Sequence, residues 1–151
     1  MTDATTYRSM TATTLQTAAT VVAATFLLVG VLGFIPGVTT DYDSMTFAGH
    51  ESTALLLGIF QVSILHNIVH LVFGIAGLVL ATSWRGARAY LIAGGAIYMV
   101  LLIYGVAVDH GSSANFVPVN SADNWLHLAL GVGMLALGLG LGRTADRPGP
   151  L

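Results

Sequence analysis

Charged side chains are absent from four long windows of the chain, residues 9–40, 52–84, 89–108 and 124–142. Each window holds the roughly 20 mostly apolar residues that cross a hydrocarbon core about 30 Å thick at 1.5 Å rise per residue. The pattern predicts four transmembrane helices, near 14–35, 58–82, 88–108 and 123–142, in one domain covering 1–151, with cytoplasmic tails at 1–10 and 143–151 expected to be flexible. The fold class is all-α: a polytopic membrane protein whose helices form two antiparallel hairpins. Thr11, Thr13 and Thr14 offer caps for helix 1, Pro36 and Gly37 end it, and Ser121 is placed to cap helix 4. TSWRGAR makes a short inner connection between helices 2 and 3. Residues 52–60 read either as an extension of helix 2 above the bilayer or as an interfacial turn. Helix 1 has a long apolar core, 21–35, with no small-x-small cleavage site before Thr39, so it is expected to stay as an anchor.

Composition agrees with the membrane reading. Hydrophobic residues make up 55% of the chain and charged residues 8%, too few for the surface of a water-soluble domain of this size. A formal net charge of -2 provides no basic field for nucleic acid. The absence of cysteine excludes disulfides, thiolate nucleophiles and Cys-ligated metal sites.

The arginines orient the threading. Arg8 precedes helix 1, Arg85 and Arg88 fall between helices 2 and 3, and Arg143 and Arg147 follow helix 4, so all lie on one side. That side is cytoplasmic by the positive-inside rule, which puts both termini in the cytoplasm. The opposite side holds Asp41, Asp43, Glu51, Asp109 and Asp123 with no basic partner. Trp84 and Trp125 fall at the inner and outer boundaries, as in an aromatic belt.

Within helix 2, the apolar stretch 63–77 carries His66, Asn67 and His70. Residues 67–74 (NIVHLVFG) repeat as residues 124–131 (NWLHLALG) in helix 4, both reading N-x-x-H-L-x-x-G. His70 and His127 each lie about 20 Å above the inner boundary at 1.5 Å per residue, in the outer half of the bilayer. A parallel duplication relating helices 1 and 2 to helices 3 and 4 follows, although helices 1 and 3 match much less well. In helix 2, Ile59, Ser63, His66, Asn67, His70, Gly74 and Gly77 fall on one stripe; in helix 4 the stripe is Asn124, His127, Gly131, Met134 and Gly138. Stripes of small and hydrogen-bonding residues face neighbouring helices, so helices 2 and 4 are expected to share an interface or a common cavity.

The candidate polar cluster is His66, Asn67, His70, Asp109, His110, Asp123, Asn124 and His127. Asp109, at the negative end of helix 3, calls for compensation by imidazoles, Asn115, Asn120, backbone N–H groups or a cation; Asp123, at the positive end of helix 4, suits a capping role. Four readings compete. The leading one is structural or accessory, with Asn and His bonding across helices. A divalent metal could be held by His66, His70, His127 and Asp109. Haem could take His70 and His127 as axial ligands, although no basic residue lies outside to neutralise propionates. Proton or small-solute transfer is the fourth reading, and four helices then favour a homo-oligomer. No cofactor is implied beyond these metal or haem alternatives, and no catalytic constellation supports an enzyme. Expected partners are the lipid bilayer and a second copy or another membrane protein.

The blocks FQVSILHNIVHLVFGIAGLVLA (60–81) and IYGVAVDHGSSANFVPVNSADNWLHLALGVGM (103–134), with the four-helix plan, resemble an uncharacterised actinobacterial membrane family, the domain-of-unknown-function family four-three-eight-three. The resemblance covers most of the chain. It implies a small polytopic protein of the plasma membrane and carries over no activity or catalytic residue.

Overall fold

Each of the four apolar windows forms a helix that starts at a side-chain cap. The computed structural model describes residues 12–143; the two tails, with Arg8, Thr11 and Arg147, lie outside the described residues apart from Arg143. Helix α1 (Thr14–Leu32) begins at Thr13, whose Oγ1 accepts the Gln16 N–H while the Gln16 Oε1 accepts the Thr13 N–H. The same glutamine donates Nε2–H to the Ala81 carbonyl at 3.1 Å, tying the start of α1 to the end of the next helix. Helices α2 (Ile64–Ala81), α3 (Trp84–Ala107) and α4 (Ser121–Gly140) are capped by Ser63, Ser83 and Asn120. All four are long and apolar enough to cross a membrane, and large apolar residues such as Val21, Val72, Val100 and Val132 face outward, as lipid requires.

Several boundaries differ from the sequence reading, each for a local reason. Helix α1 ends at Leu32, not near 35, because Gly33 follows and Ile35 precedes proline, a position that disfavours helical backbone. Helix α2 starts at Ile64, not near 58. Leu57 and Gly58 both take positive φ, 56° and 70°, and no helix passes through that backbone. Residues 52–60 instead supply much of a three-stranded antiparallel sheet, β1 (Thr39–Thr40), β2 (Leu55–Leu56) and β3 (Phe60–Gln61), with Leu56 opposite both Thr39 and Phe60. Ile59 lies in the β2–β3 turn, 53% exposed, and is not part of the α2 stripe. Helix α3 begins at Trp84, four residues early, so Arg85 and Arg88 lie in its first turns and only Thr82 and Ser83 connect it to α2. Trp84 is buried in the main core, whereas Trp125, 73% exposed, matches a belt position. The cap of α4 is Asn120, with Ser121 as the first helical residue.

Packing is dominated by two hairpins, α1 against α2 and α3 against α4; α3 also touches both α1 and α2, while α2 and α4 barely approach. The main core joins Leu15, Ala23 and Phe26 of α1 to Tyr90, Leu91 and Tyr98 of α3 and Met134 of α4. A second, smaller core under the sheet holds Ala54, Leu56 and Val62.

The duplication extends to α1 and α3 once contacts rather than residue identities are compared. Adding 72 to a position in α1 gives its counterpart in α3: Ala23 and Gly95, Phe26 and Tyr98, Leu27 and Met99, Gly33 and Gly105. A side chain built on Gly74 would press on the Ala23 carbonyl and Leu27; one built on Gly131 would press on the Gly95 carbonyl and Met99. The Asn67 amide occupies the space a Cβ of Gly33 would fill, and the Asn124 amide does the same at Gly105. Glycine is required at these crossings because the backbones meet there.

Leucine at Gly74 and at Gly131, the duplicated positions, should therefore act alike. Each is expected to destabilise the bundle by about 1–3 kcal/mol, a typical overpacking penalty, seen as a lower thermal unfolding midpoint in detergent. Leucine at Gly133, where an added Cβ meets nothing within 4 Å, should leave the midpoint near that of the parent.

Candidate functional site

The repeated histidines meet a row of aromatic rings across the bundle centre. On α2, one turn separates His66 and His70, and their rings stack at 4.4 Å and 9°. The His70 Nδ1 lies 3.0 Å from the His66 carbonyl. A carbonyl only accepts, so this contact places the proton on Nδ1 and leaves Nε2 as an acceptor in the neutral ring. Phe26 lies 5.5 Å from His70 at 53°, and Tyr98 lies 5.3 Å from His127 at 56°, matching contacts from the two halves. Phe26 and Tyr98 then stack on each other at 5.5 Å and 16°. His66, His70, Phe26, Tyr98 and His127 thus form one continuous array.

Two cavities flank this array. The smaller, about 150 Å³, lies between α1, α4 and the sheet, against Val29, Leu56, Phe60, Leu126, Leu130 and Asp123. The larger, about 220 Å³, lies between α2, α3 and the loop joining α3 to α4, against Ser63, Val69, Ile97, Leu101 and Pro118. His66, His70, Tyr98 and His127 line both. Helices α2 and α4 therefore face a common cavity system and do not share an interface.

The other predicted polar residues serve the bundle. Asn124 donates Nδ2–H to the Gly105 carbonyl at 3.0 Å, and Asn67 contacts the Met45 sulfur at 3.7 Å. The buried Oδ1 atoms of both asparagines have no hydrogen-bond partner and rest where each glycine has hydrogens, a Cα–H···O arrangement. Asp123, 1% exposed, accepts the Asn120 N–H at 2.9 Å and the Gln61 N–H at 3.1 Å, so it closes a capping box and ties α4 to β3. His110 Nε2 reaches the Gly105 carbonyl at 2.8 Å near the end of α3. Asp109 is exposed, and its Oδ1 accepts the Gly111 N–H at 3.0 Å. It stands apart from the imidazoles that line the cavities.

Asn115, expected from the sequence as a candidate partner for Asp109, serves the α3–α4 loop instead, and two residues of the ring array, Phe26 and Tyr98, were not singled out by sequence. Asn115, fully buried, accepts the Val119 N–H and donates to the carbonyls of His110 and Val119, fixing the loop between α3 and α4. Phe26 and Tyr98 complete the ring array, and the 72-residue correspondence through Gly33 and Gly105 is the signal that leads to them. For metal binding, no group of three His, Cys, Asp or Glu is arranged to hold an ion among the described residues. For haem, both cavities that His70 and His127 line fall below the roughly 300–1,000 Å³ of pockets for larger ligands.

Asp123→Ala should leave two partly buried backbone N–H groups, those of Asn120 and Gln61, without their carboxylate acceptor. The expected cost is about 1–3 kcal/mol of stability, with faster hydrogen exchange at the Gln61 amide as the local readout; unchanged exchange there would mean that the carboxylate does not hold β3.

No curated protein and no solved structure matches the chain. The family described as Domain of unknown function (DUF4383) matches residues 16–140, which takes in all four helices and the histidine array. The chain belongs to that family.

Proposed function

We propose that this is a small integral protein of the plasma membrane, with both termini cytoplasmic, whose buried amides and carboxylate act structurally, locking a bundle that serves as an accessory membrane component. The observation that carries this reading is the pair of asparagine and glycine crossings, Asn67 on Gly33 and Asn124 on Gly105, made once in each half. In lipid, apolar burial gives helices little reason to associate, so close packing and interhelical polar contacts supply the specificity. The arginines support the orientation. Arg85 and Arg88 open α3, Arg143 follows α4, and the far ends of the helices carry Asp, Glu and His but no arginine among the described residues. The acidic outer loops then meet a membrane-protein partner or a second copy.

Two measurements test this reading. Asn124→Leu loses a direct hydrogen bond and should cost about 0.6–2 kcal/mol, whereas Asn67→Leu, which loses only a sulfur contact, should cost less. The effects should add in the double variant, because the asparagines serve separate crossings; variants that unfold like the parent would overturn the locking role. A reporter active only outside the membrane should be silent when fused at the C-terminus and active when inserted after Ser112. The reverse result would invert the orientation.

A further inference from the structure

Locking the bundle leaves the imidazoles largely unused. His70 spends one nitrogen on the His66 carbonyl. Its other nitrogen and those of His66 and His127 have no hydrogen-bond partner among the described residues, and His127, 4% exposed, keeps a buried Nδ1 with none. Burying an unpartnered ring nitrogen is costly and adds nothing to packing that phenylalanine would not supply. These same three rings, with Tyr98, form the wall common to both cavities. The buried, unpartnered Nδ1 of His127 and the two neighbouring imidazoles are thus gathered at the shared wall of the cavities.

We propose that the two cavities are lobes of one binding site for an uncharged, lipid-soluble ring compound bearing carbonyl or hydroxyl oxygens, of the quinone and quinol class. Four observations select this chemistry. The lining away from the histidines is mostly aliphatic and aromatic, which suits an apolar body. No lysine or arginine lines either lobe and Asp123 borders the smaller one, so a phosphate or carboxylate headgroup finds no countercharge. Neutral imidazoles offer both N–H donors and lone pairs, matching a carbonyl through the former and a hydroxyl through the latter. Val69 and Ile97 on the larger lobe are 54% and 50% exposed on the outward faces of α2 and α3, so that lobe is reached from the lipid. At about 150 and 220 Å³ the lobes suit a ring-sized head whose chain stays in the bilayer.

The test uses the full-length protein in lipid nanodiscs, purified without a His-tag and titrated calorimetrically with decylubiquinone and with phenyldecane, an apolar body without oxygens. Saturable binding of decylubiquinone is expected, at least tenfold tighter than that of phenyldecane. His127→Phe and His66→Leu should each weaken it tenfold or more. Ile97→Trp, which crowds the larger lobe from a lipid-exposed position, should weaken it similarly without disturbing the core; it decides the matter if the histidine variants fail to fold. Unsaturable partitioning equal for both compounds, or saturable binding indifferent to Ile97→Trp, overturns the proposal. So does saturable binding of zinc ions, lost in His66→Leu, in a protein that takes up no decylubiquinone.

Discussion

Close approach of backbones within each helical hairpin is the constraint on which the rest of the structure depends. Gly74 lets α2 settle on the Ala23 carbonyl of α1, and Gly131 lets α4 settle on Gly95 of α3. Once those backbones touch, an asparagine two turns toward the helix N-terminus reaches the neighbouring glycine, and the histidine between the two glycine crossings is carried onto Phe26 or Tyr98. The order of residues in N-x-x-H-L-x-x-G is therefore an order of tasks along one helix face: amide lock, ring contact, backbone crossing. A hydrophobic core in water tolerates looser solutions, because apolar burial holds it together regardless. A lipid-embedded bundle has no such reserve, and its small residues are correspondingly specific.

The polar residues divide into two populations. Asn67, Asn124, Asp123, His110 and Asn115 bond to the neighbouring backbone, or rest against it, and so answer for the ends and crossings of helices. His66, His70 and His127 have ring nitrogens to spare and line the two cavities. The division does not follow residue type, since His110 sits with the asparagines. Distance from the helix end does not decide it either, since His66 lies in the first turn of α2, one residue before Asn67. The face does, because the asparagines meet a glycine of the neighbouring helix and the three histidines face the cavities.

What could be read from the sequence follows the same line. Helix number, the two hairpins, the repeated motif and the capping role of Asp123 were legible, because freedom from charge over 20 residues and a recurring Asn, His and Gly are strong signals. The start of α2 was not: Ala54, Leu55, Leu56 and Leu57 are as apolar as any helical segment, and nothing in hydropathy reveals that Leu57 turns into left-handed backbone. The correspondence of α1 with α3 was hidden because Phe26 and Tyr98, or Ala23 and Gly95, differ in identity while doing the same work. Trp84 was misplaced because an aromatic belt and a buried aromatic look alike in one dimension. Asp109 and Asp123 both flank helices, and only the folded loops show one in water and the other beneath Gln61.

The twofold repeat is broken by the sheet, which the first half carries and the second lacks. That sheet is fastened to the opposite half: the Gln61 N–H to Asp123, and the Ile59 carbonyl to the Asn120 side chain. Both fastenings lie in the first turn of α4 or at its cap, which has no counterpart bond in α2. The two halves consequently differ in what they can recognise. The two bonds join unlike partners, a sheet that only the first half has and the cap and first turn of a helix in the second. An architecture built by repetition thus carries, in one small insertion, the means to tell its two halves apart.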